Sequence, residues 1–117
     1  MTSTFKQATS FEKRKSEAAR IHAKYPELVP IICERATGNK DIPEIDKKKY
    51  LVPPDLTISQ FSYVIRKRMK LDAQKAIFLT IGNRLPVGHK LVSEVYSEHQ
   101  DEDGFLYITY AAENTFG

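Results

Sequence analysis

The chain has 117 residues, 41% of them hydrophobic and 28% charged, with a net charge of +3. That describes one ordinary globular domain, whose core leaves little room for an enclosed active-site cavity. The single cysteine, Cys33, cannot form an internal disulfide. The charged first 25 residues hold no signal-peptide h-region, and no stretch nears the roughly 18 apolar residues of a membrane span. The sequence therefore reads as a protein made soluble in the cytosol, to which any membrane attachment is added later.

In chain order, Thr9 and Glu12 fit a capping box. Phe11, Ala18, Ile21 and Tyr25 then recur at helical spacing, and Pro26 ends an amphipathic helix of about four turns. Val29–Arg35 is short, β-branched and apolar, a strand with Pro30 at its start or on an edge. A turn over 37–41 and a loop over 42–46 lead to a second strand, Tyr50–Val52, stopped by Pro53 and Pro54.

The next helix has the clearest local signals. Thr57 caps it, Gln60 closes the box, and Leu56 with Phe61 forms a hydrophobic staple. Ile58, Phe61, Val64, Ile65 and Met69 mark its buried side. Arg66, Lys67, Arg68 and Lys70 suit its C-terminal dipole. A strand over 76–81, a turn at Gly82-Asn83 and a short return over 84–86 follow. Leu91–His99 reads as a short helix with Gly88 as its candidate cap. Asp103-Gly104 is a turn, Phe105–Tyr110 the last strand, and 111–117 a polar tail without alternation. After the first helix the order is β-β-α-β-β-α-β. The expected fold is α+β, a ubiquitin-like β-grasp with an added N-terminal helical segment (1–27), a core (28–110) and a flexible C-terminal tail (111–117).

No catalytic arrangement emerges. Cys33 sits mid-strand without a nearby histidine, and His22, His89 and His99 lack metal-ligand spacing. There is no glycine-rich phosphate loop, and no cofactor is expected. The basic runs 13–15, 47–49 and 66–68 read either as solvated faces or as a surface for acidic peptides or anionic headgroups. They lack the aromatic interleaving of a nucleic-acid binder, so nucleic acid is not an expected partner.

Several stretches carry a resemblance: Phe11–Lys15; Asp46–Pro53, which reads Asp-Lys-Lys-Lys-Tyr-Leu-Val-Pro; Asp55-Leu56-Thr57; Arg66-Lys67-Arg68; Asp103–Tyr107; and the ending Glu113–Gly117. In this order, over nearly the whole chain, they resemble the autophagy ubiquitin-like modifiers of the GABARAP and light-chain-3 type, closer to the fungal, plant and GABARAP branch. The resemblance implies conjugation through Gly117 to phosphatidylethanolamine on autophagosomal membranes. It also implies an activating enzyme, a conjugating enzyme, and a cysteine protease that trims and delipidates. A terminal glycine suits an acyl carrier, because no Cβ blocks approach to its carbonyl. Two lipid chains would anchor the protein stably where a net charge of +3 would not.

The resemblance further implies docking of Trp/Phe/Tyr-x-x-Leu/Ile/Val peptides, from cargo receptors and adaptors, as an added strand on the second strand. Carried over by residue, an aromatic pocket comprises Glu17, Ile21, Pro30, Ile32, Lys49, Leu51 and Phe105. An aliphatic pocket comprises Tyr50, Val52, Pro53, Leu56, Phe61, Val64 and Ile65, and Lys47, Lys49 and Arg68 meet acidic residues beside the motif. Two anchors of about 1.5–3 kcal/mol each, less ordering costs, give micromolar affinity. The sequence departs from the family at Thr80, where the third strand usually has a phenylalanine of a second, helical-motif docking site, and at 86–90, which lacks the usual Pro-Pro-Thr. Family members also bind tubulin through the basic first helix. An unconjugated peptide-binding adaptor, or a microtubule-associated or trafficking protein, remains open on sequence alone.

Overall fold

The computed structural model describes residues 3–39, 41–72, 74–82, 84–86 and 88–112. Along the chain run α1 (Thr4–Ala8), α2 (Phe11–Lys24), β1 (Val29–Arg35), β2 (Lys49–Val52), α3 (Ile58–Met69), β3 (Phe78–Thr80), α4 (Val92–His99) and β4 (Leu106–Ala111). The strands form one mixed sheet in the order β2-β1-β4-β3. β1 and β4 run parallel at its centre, with Ile32 beside Tyr107, and β2 and β3 are antiparallel edges.

Alternation along the strands divides the core between the two faces of the sheet. On one face Ile31, Cys33, Tyr50, Val52, Leu106, Ile108 and Tyr110 meet Ile58, Phe61 and Ile65 of α3 and Val92 and Val95 of α4. On the other, Ile32 and Phe105 meet Ala18 of α2, with Phe5, Ile21 and Tyr107 packed around them. Loop 42–46 is tied to the first face by Tyr110, which donates to the Pro43 carbonyl (2.9 Å) and accepts from the Ile45 N–H (2.7 Å).

α3 begins as expected. The Gln60 N–H donates to Thr57 Oγ1 (3.1 Å) and the Thr57 N–H to Gln60 Oε1 (2.9 Å). Its end turns through Lys70 in the left-handed region (φ 56°), whose N–H returns to the carbonyls of Arg66 and Lys67. The starts of α3 and α4 satisfy each other's approach loops. Ile58 and Ser59 N–H groups donate to the Lys90 and Gly88 carbonyls, and Val92 and Ser93 N–H groups to those of Leu56 and Pro54. Gly88 therefore does not cap α4. Leu91 is the N-cap, its N–H held by Glu94 Oε1 (2.9 Å). A Cβ at Gly88 would lie 2.5 Å from Ser59 Oγ, so a larger residue there would require that hydroxyl to turn away.

Other expectations are corrected. α2 is capped by Ser10, whose Oγ accepts from the Lys13 N–H (3.3 Å), not by Thr9. The Thr9 carbonyl instead accepts from Arg14 Nη1. The short helix α1 precedes α2 and was not anticipated, because five residues carry too little periodicity to register. The expected fourth strand of five reduces to one bridge, Ile81 with Arg84, after a turn at Gly82 (φ 64°). Asn83 lies outside the described residues. β4 continues to Ala111, paired with Phe78, and Ala112 is also buried, so the last strand reaches into the segment read as tail.

The second face is closed by a buried ion pair. Arg14 Nε lies 3.0 Å from Asp103 Oδ2, and Asp103 also accepts from the Phe105 N–H (2.8 Å) and the Tyr107 hydroxyl (2.5 Å). Gly104 (φ 97°) lets α2 approach: a Cβ there would sit 2.9 Å from that of Ala18.

Candidate functional site

β2 is a sheet edge, and its inner side is fully used. The Cys33 N–H donates to the Lys48 carbonyl (2.8 Å), so Cys33–Lys48 is a hydrogen-bonded pair. By antiparallel alternation Tyr50 opposite Ile31 and Val52 opposite Val29 are such pairs too. The backbone groups of Lys49 and Leu51 therefore point away from β1. Pro30 sits opposite Leu51 in a non-bonded pair, where a residue without an N–H costs β2 nothing. The free edge offers the N–H and C=O of residues 49 and 51 to an extended chain.

The residues proposed for the aromatic pocket come together on the α2 side of this edge. Pro30 and Ile32 are buried, Ile21 is half-buried, and Phe105 is 1% exposed. Leu51 remains 40% exposed beside them. Glu17 and Lys49 form an ion pair of 2.5 Å across the mouth. Sequence reading missed Phe5: its ring packs edge-on against Phe105 at 5.7 Å, and Lys49 Nζ lies 5.3 Å from its centroid. α1 carries Phe5 there because Glu34, buried in β1, accepts from Ser3 Oγ, Thr4 Oγ1 and the Phe5 N–H (3.0 Å). Burial raises the Glu34 carboxyl, but those donors and Lys48 outweigh it and hold the group below the ordinary carboxylate value.

The aliphatic set is divided. Tyr50, Val52, Phe61 and Ile65 belong to the core on the α3 face, with Phe61 and Ile65 fully buried. Val64, expected on the buried side of α3, is 39% exposed. It lies one residue before Ile65, so about 100° around the helix from the side that meets the sheet. With exposed Pro53 and half-buried Leu56 it forms the accessible part of the set. The Tyr50 ring meets Phe61 edge-on at 5.7 Å and lies under Lys47 Nζ at 5.2 Å. Its buried hydroxyl has no hydrogen-bond partner among the described residues, and burial pushes its pKa up.

The cations expected to meet acidic flanks surround this edge, but Arg68 is already engaged. Its Nε and Nη2 donate to the two carboxylate oxygens of Asp46 at 2.9 and 3.1 Å. The Arg68 bond holds the exposed Asp46 carboxyl below its ordinary range. Sequence reading missed Asp46 as well as Phe5, because each meets its partner through the fold and leaves no local pattern.

Elsewhere Cys33 is fully buried, and burial pushes its thiol far up, the environment of an inert cysteine. Thr80 is buried and shares a hydrogen bond with Thr109, so polar hydroxyls stand where the family pattern places an aromatic ring. A cavity of about 660 Å³ lies along the same face, lined by polar groups that include Glu34, Arg35, His99 and Thr109. Gly117, with the rest of 113–117, lies outside the described residues, as does Val87 of the loop 86–90.

A mixed sheet with parallel central strands, crossed by one long helix on one face, is the β-grasp of ubiquitin-like proteins, here with two helices added in front. The profile of the "Autophagy protein Atg8 ubiquitin like" family matches residues 13–117. "Autophagy-related protein 8" of Mycosarcoma maydis is 61% identical over 117 residues, all of this chain and 98% of that protein. "Autophagy-related protein 8b" of Arabidopsis thaliana is 60% identical over 114 residues, 97% of this chain and 93% of that one. The crystal structure of Trypanosoma brucei ATG8 superposes with a TM-score of 0.91 at 43% identity, covering both chains completely. The chain belongs to the Atg8 family of autophagy ubiquitin-like proteins, and its fungal and plant relatives agree with the branch expected from sequence.

Proposed function

We propose that this chain is a ubiquitin-like modifier, not an enzyme. It is conjugated through Gly117 to phosphatidylethanolamine and recruits short-motif proteins to autophagosomal membranes. The observation that carries the recruitment half is the β2 edge: backbone groups at 49 and 51 that point away from β1 and pair with no other strand among the described residues, exposed Leu51 and Val64 on either side, and cations around them. An extended Trp/Phe/Tyr-x-x-Leu/Ile/Val peptide adds there as a strand, its aromatic residue toward Ile21, Ile32 and Phe105 and its aliphatic residue toward Pro53, Leu56 and Val64.

The conjugation half is supported by family membership and by the glycine at position 117, a residue type with no Cβ to block approach to its carbonyl. None of the described helices is long and apolar enough to cross a membrane, so a covalent lipid is the anchor this reading requires. The activating and conjugating enzymes deliver the glycyl acyl group, a cysteine protease reverses the linkage, and the protein divides between a cytosolic pool and membrane. Many copies on one membrane convert micromolar single sites into firm recruitment.

Intact-mass analysis of protein from a membrane fraction tests conjugation. An aminophospholipid amide on Gly117 is expected, and Gly117→Ala should remain folded and unlipidated; lipidated Gly117→Ala would overturn this half. Calorimetry with a Trp-x-x-Leu peptide tests docking. Leu51→Ala with Val64→Ala, both exposed, should weaken binding about tenfold or more by removing anchor area. Unchanged affinity would remove the edge from the proposal. Tyr50, buried in the core, is a poor probe because its loss disturbs the fold.

A further inference from the structure

Asp46 lies three residues before β2, just ahead of the free edge. It holds the guanidinium of Arg68, on the last turn of α3, in a bidentate pair with Nε–Oδ1 at 2.9 Å and Nη2–Oδ2 at 3.1 Å. A guanidinium bound this way has its Nε–Nη2 fork already filled by a carboxylate. Both side chains are well exposed, 46% for Arg68 and 71% for Asp46, so the pair is open to exchange and contributes little to stability. No other described carboxylate pairs with Arg68. At the aromatic end of the edge Glu17 neutralises Lys49 in the same manner. The cations around the edge are thus partly masked by the chain's own acids, and a carboxylate on an arriving peptide reaches the Nε–Nη2 side of Arg68 only by displacing Asp46.

We propose that Asp46 is a specificity-determining residue of the docking edge, competing for Arg68 with an aspartate or glutamate that flanks the peptide motif. The proposal rests on the peptide-docking reading above. Asp46 sets the threshold: a peptide without a flanking acid leaves the Asp46–Arg68 pair in place and is indifferent to it. A peptide with one must exchange one exposed ion pair for another and so gains little from its charge. Removing the charge of Asp46 while keeping its shape leaves the fork vacant for the peptide, and acidic flanks become preferred by about the worth of one exposed ion pair.

The test is calorimetry on the full chain with two synthetic peptides that share one Trp-x-x-Leu motif, one flanked by glutamates and one by glutamines. Asp46→Asn should tighten binding of the glutamate peptide by about two- to fivefold, the scale of an exposed ion pair, and leave the glutamine peptide unchanged. The gain should vanish in the Arg68→Gln background. Glu102→Gln, which removes an exposed acid from the turn before β4, should not reproduce it, separating a local pair from net charge. Equal gains for both peptides, a gain that survives without Arg68, or weaker glutamate-peptide binding would overturn the proposal. The last would mean that Asp46 positions Arg68 instead of competing for it. If the wild-type chain binds neither peptide, the docking reading itself fails. If it binds both and Asp46→Asn discriminates nothing, only the role of Asp46 fails.

Discussion

The two faces of the sheet are held by different forces. The α3 face is apolar and continuous, with Phe61, Ile65, Ile31 and Leu106 excluded from solvent. The α2 face has a small cluster of Ala18, Ile32 and Phe105, and what holds α1 and α2 on it is largely polar: Arg14 with Asp103, Glu34 with the start of α1, Lys6 with Asp101 at 2.5 Å. Apolar burial is insensitive to pH and charge, whereas ion pairs and carboxylate hydrogen bonds are not. One sheet thus carries a fixed foundation and, opposite it, a layer whose attachment depends on a few charges. The proposed docking edge lies where the two meet.

The largest expected effect tests the foundation. Phe61→Ala should cost about 4 kcal/mol in denaturant unfolding, since it empties a fully buried site between α3 and Tyr50. A loss near 1 kcal/mol would break the comparison, because the α3 face would then be no more demanding than the other. Asp103→Ala comes next, at about 3 kcal/mol, because it strands Arg14 and orphans the Phe105 N–H and Tyr107 hydroxyl. The double change with Arg14→Ala should cost clearly less than the sum of the two single ones. Simple additivity would show that the pair is not the clasp described.

Glu34→Gln should act locally and cost about 1 kcal/mol. Hydrogen exchange should show lost protection in α1, with the α3 face unchanged. Acid should have the same effect on the wild type. The folded-state pKa of Glu34 lies below its ordinary 4.5, so its stabilisation is present above that value and is lost as pH falls through the lowered one. α1 should therefore loosen in the wild type as pH falls from 4.5 through the lowered value, and that transition should be smaller in Glu34→Gln, where, among the described residues, the Asp101 carboxylate paired with Lys6 is left to titrate against α1. The smallest effect is expected at Glu17→Gln, which breaks a half-exposed pair with Lys49 and should shift stability by less than about 1 kcal/mol.

Much of this was legible in the residues. β1 was read to its exact bounds, and α3 was legible because capping box, staple and apolar side all agree locally, the condition under which sequence specifies structure most strongly. Val64 was misplaced because it neighbours the buried Ile65 on the helix wheel, and only the position of the sheet decides where burial ends. Thr9 and Ser10 are both competent caps, but Thr9 closes α1 as its C-cap, its N–H bonded to the Phe5 carbonyl, and its own carbonyl takes Arg14, which also reaches Asp103, 89 residues away. The site followed the same rule. Alternation correctly separated Lys49 and Leu51 from Tyr50 and Val52, yet it could not tell that Tyr50 would be sealed under Lys47 and against Phe61.

By itself the sequence determined the order and type of the principal elements, the absence of disulfide cross-linking within the chain, and the family, because these follow from local periodicity, capping chemistry and the order of specific residues. Tertiary structure alone decided which edge strand stays free with exposed Leu51 beside it, that Phe5 packs against Phe105, and that Asp46 engages Arg68. Each of these joins residues far apart in the chain, and no local spacing encodes a contact that exists only once the sheet has formed.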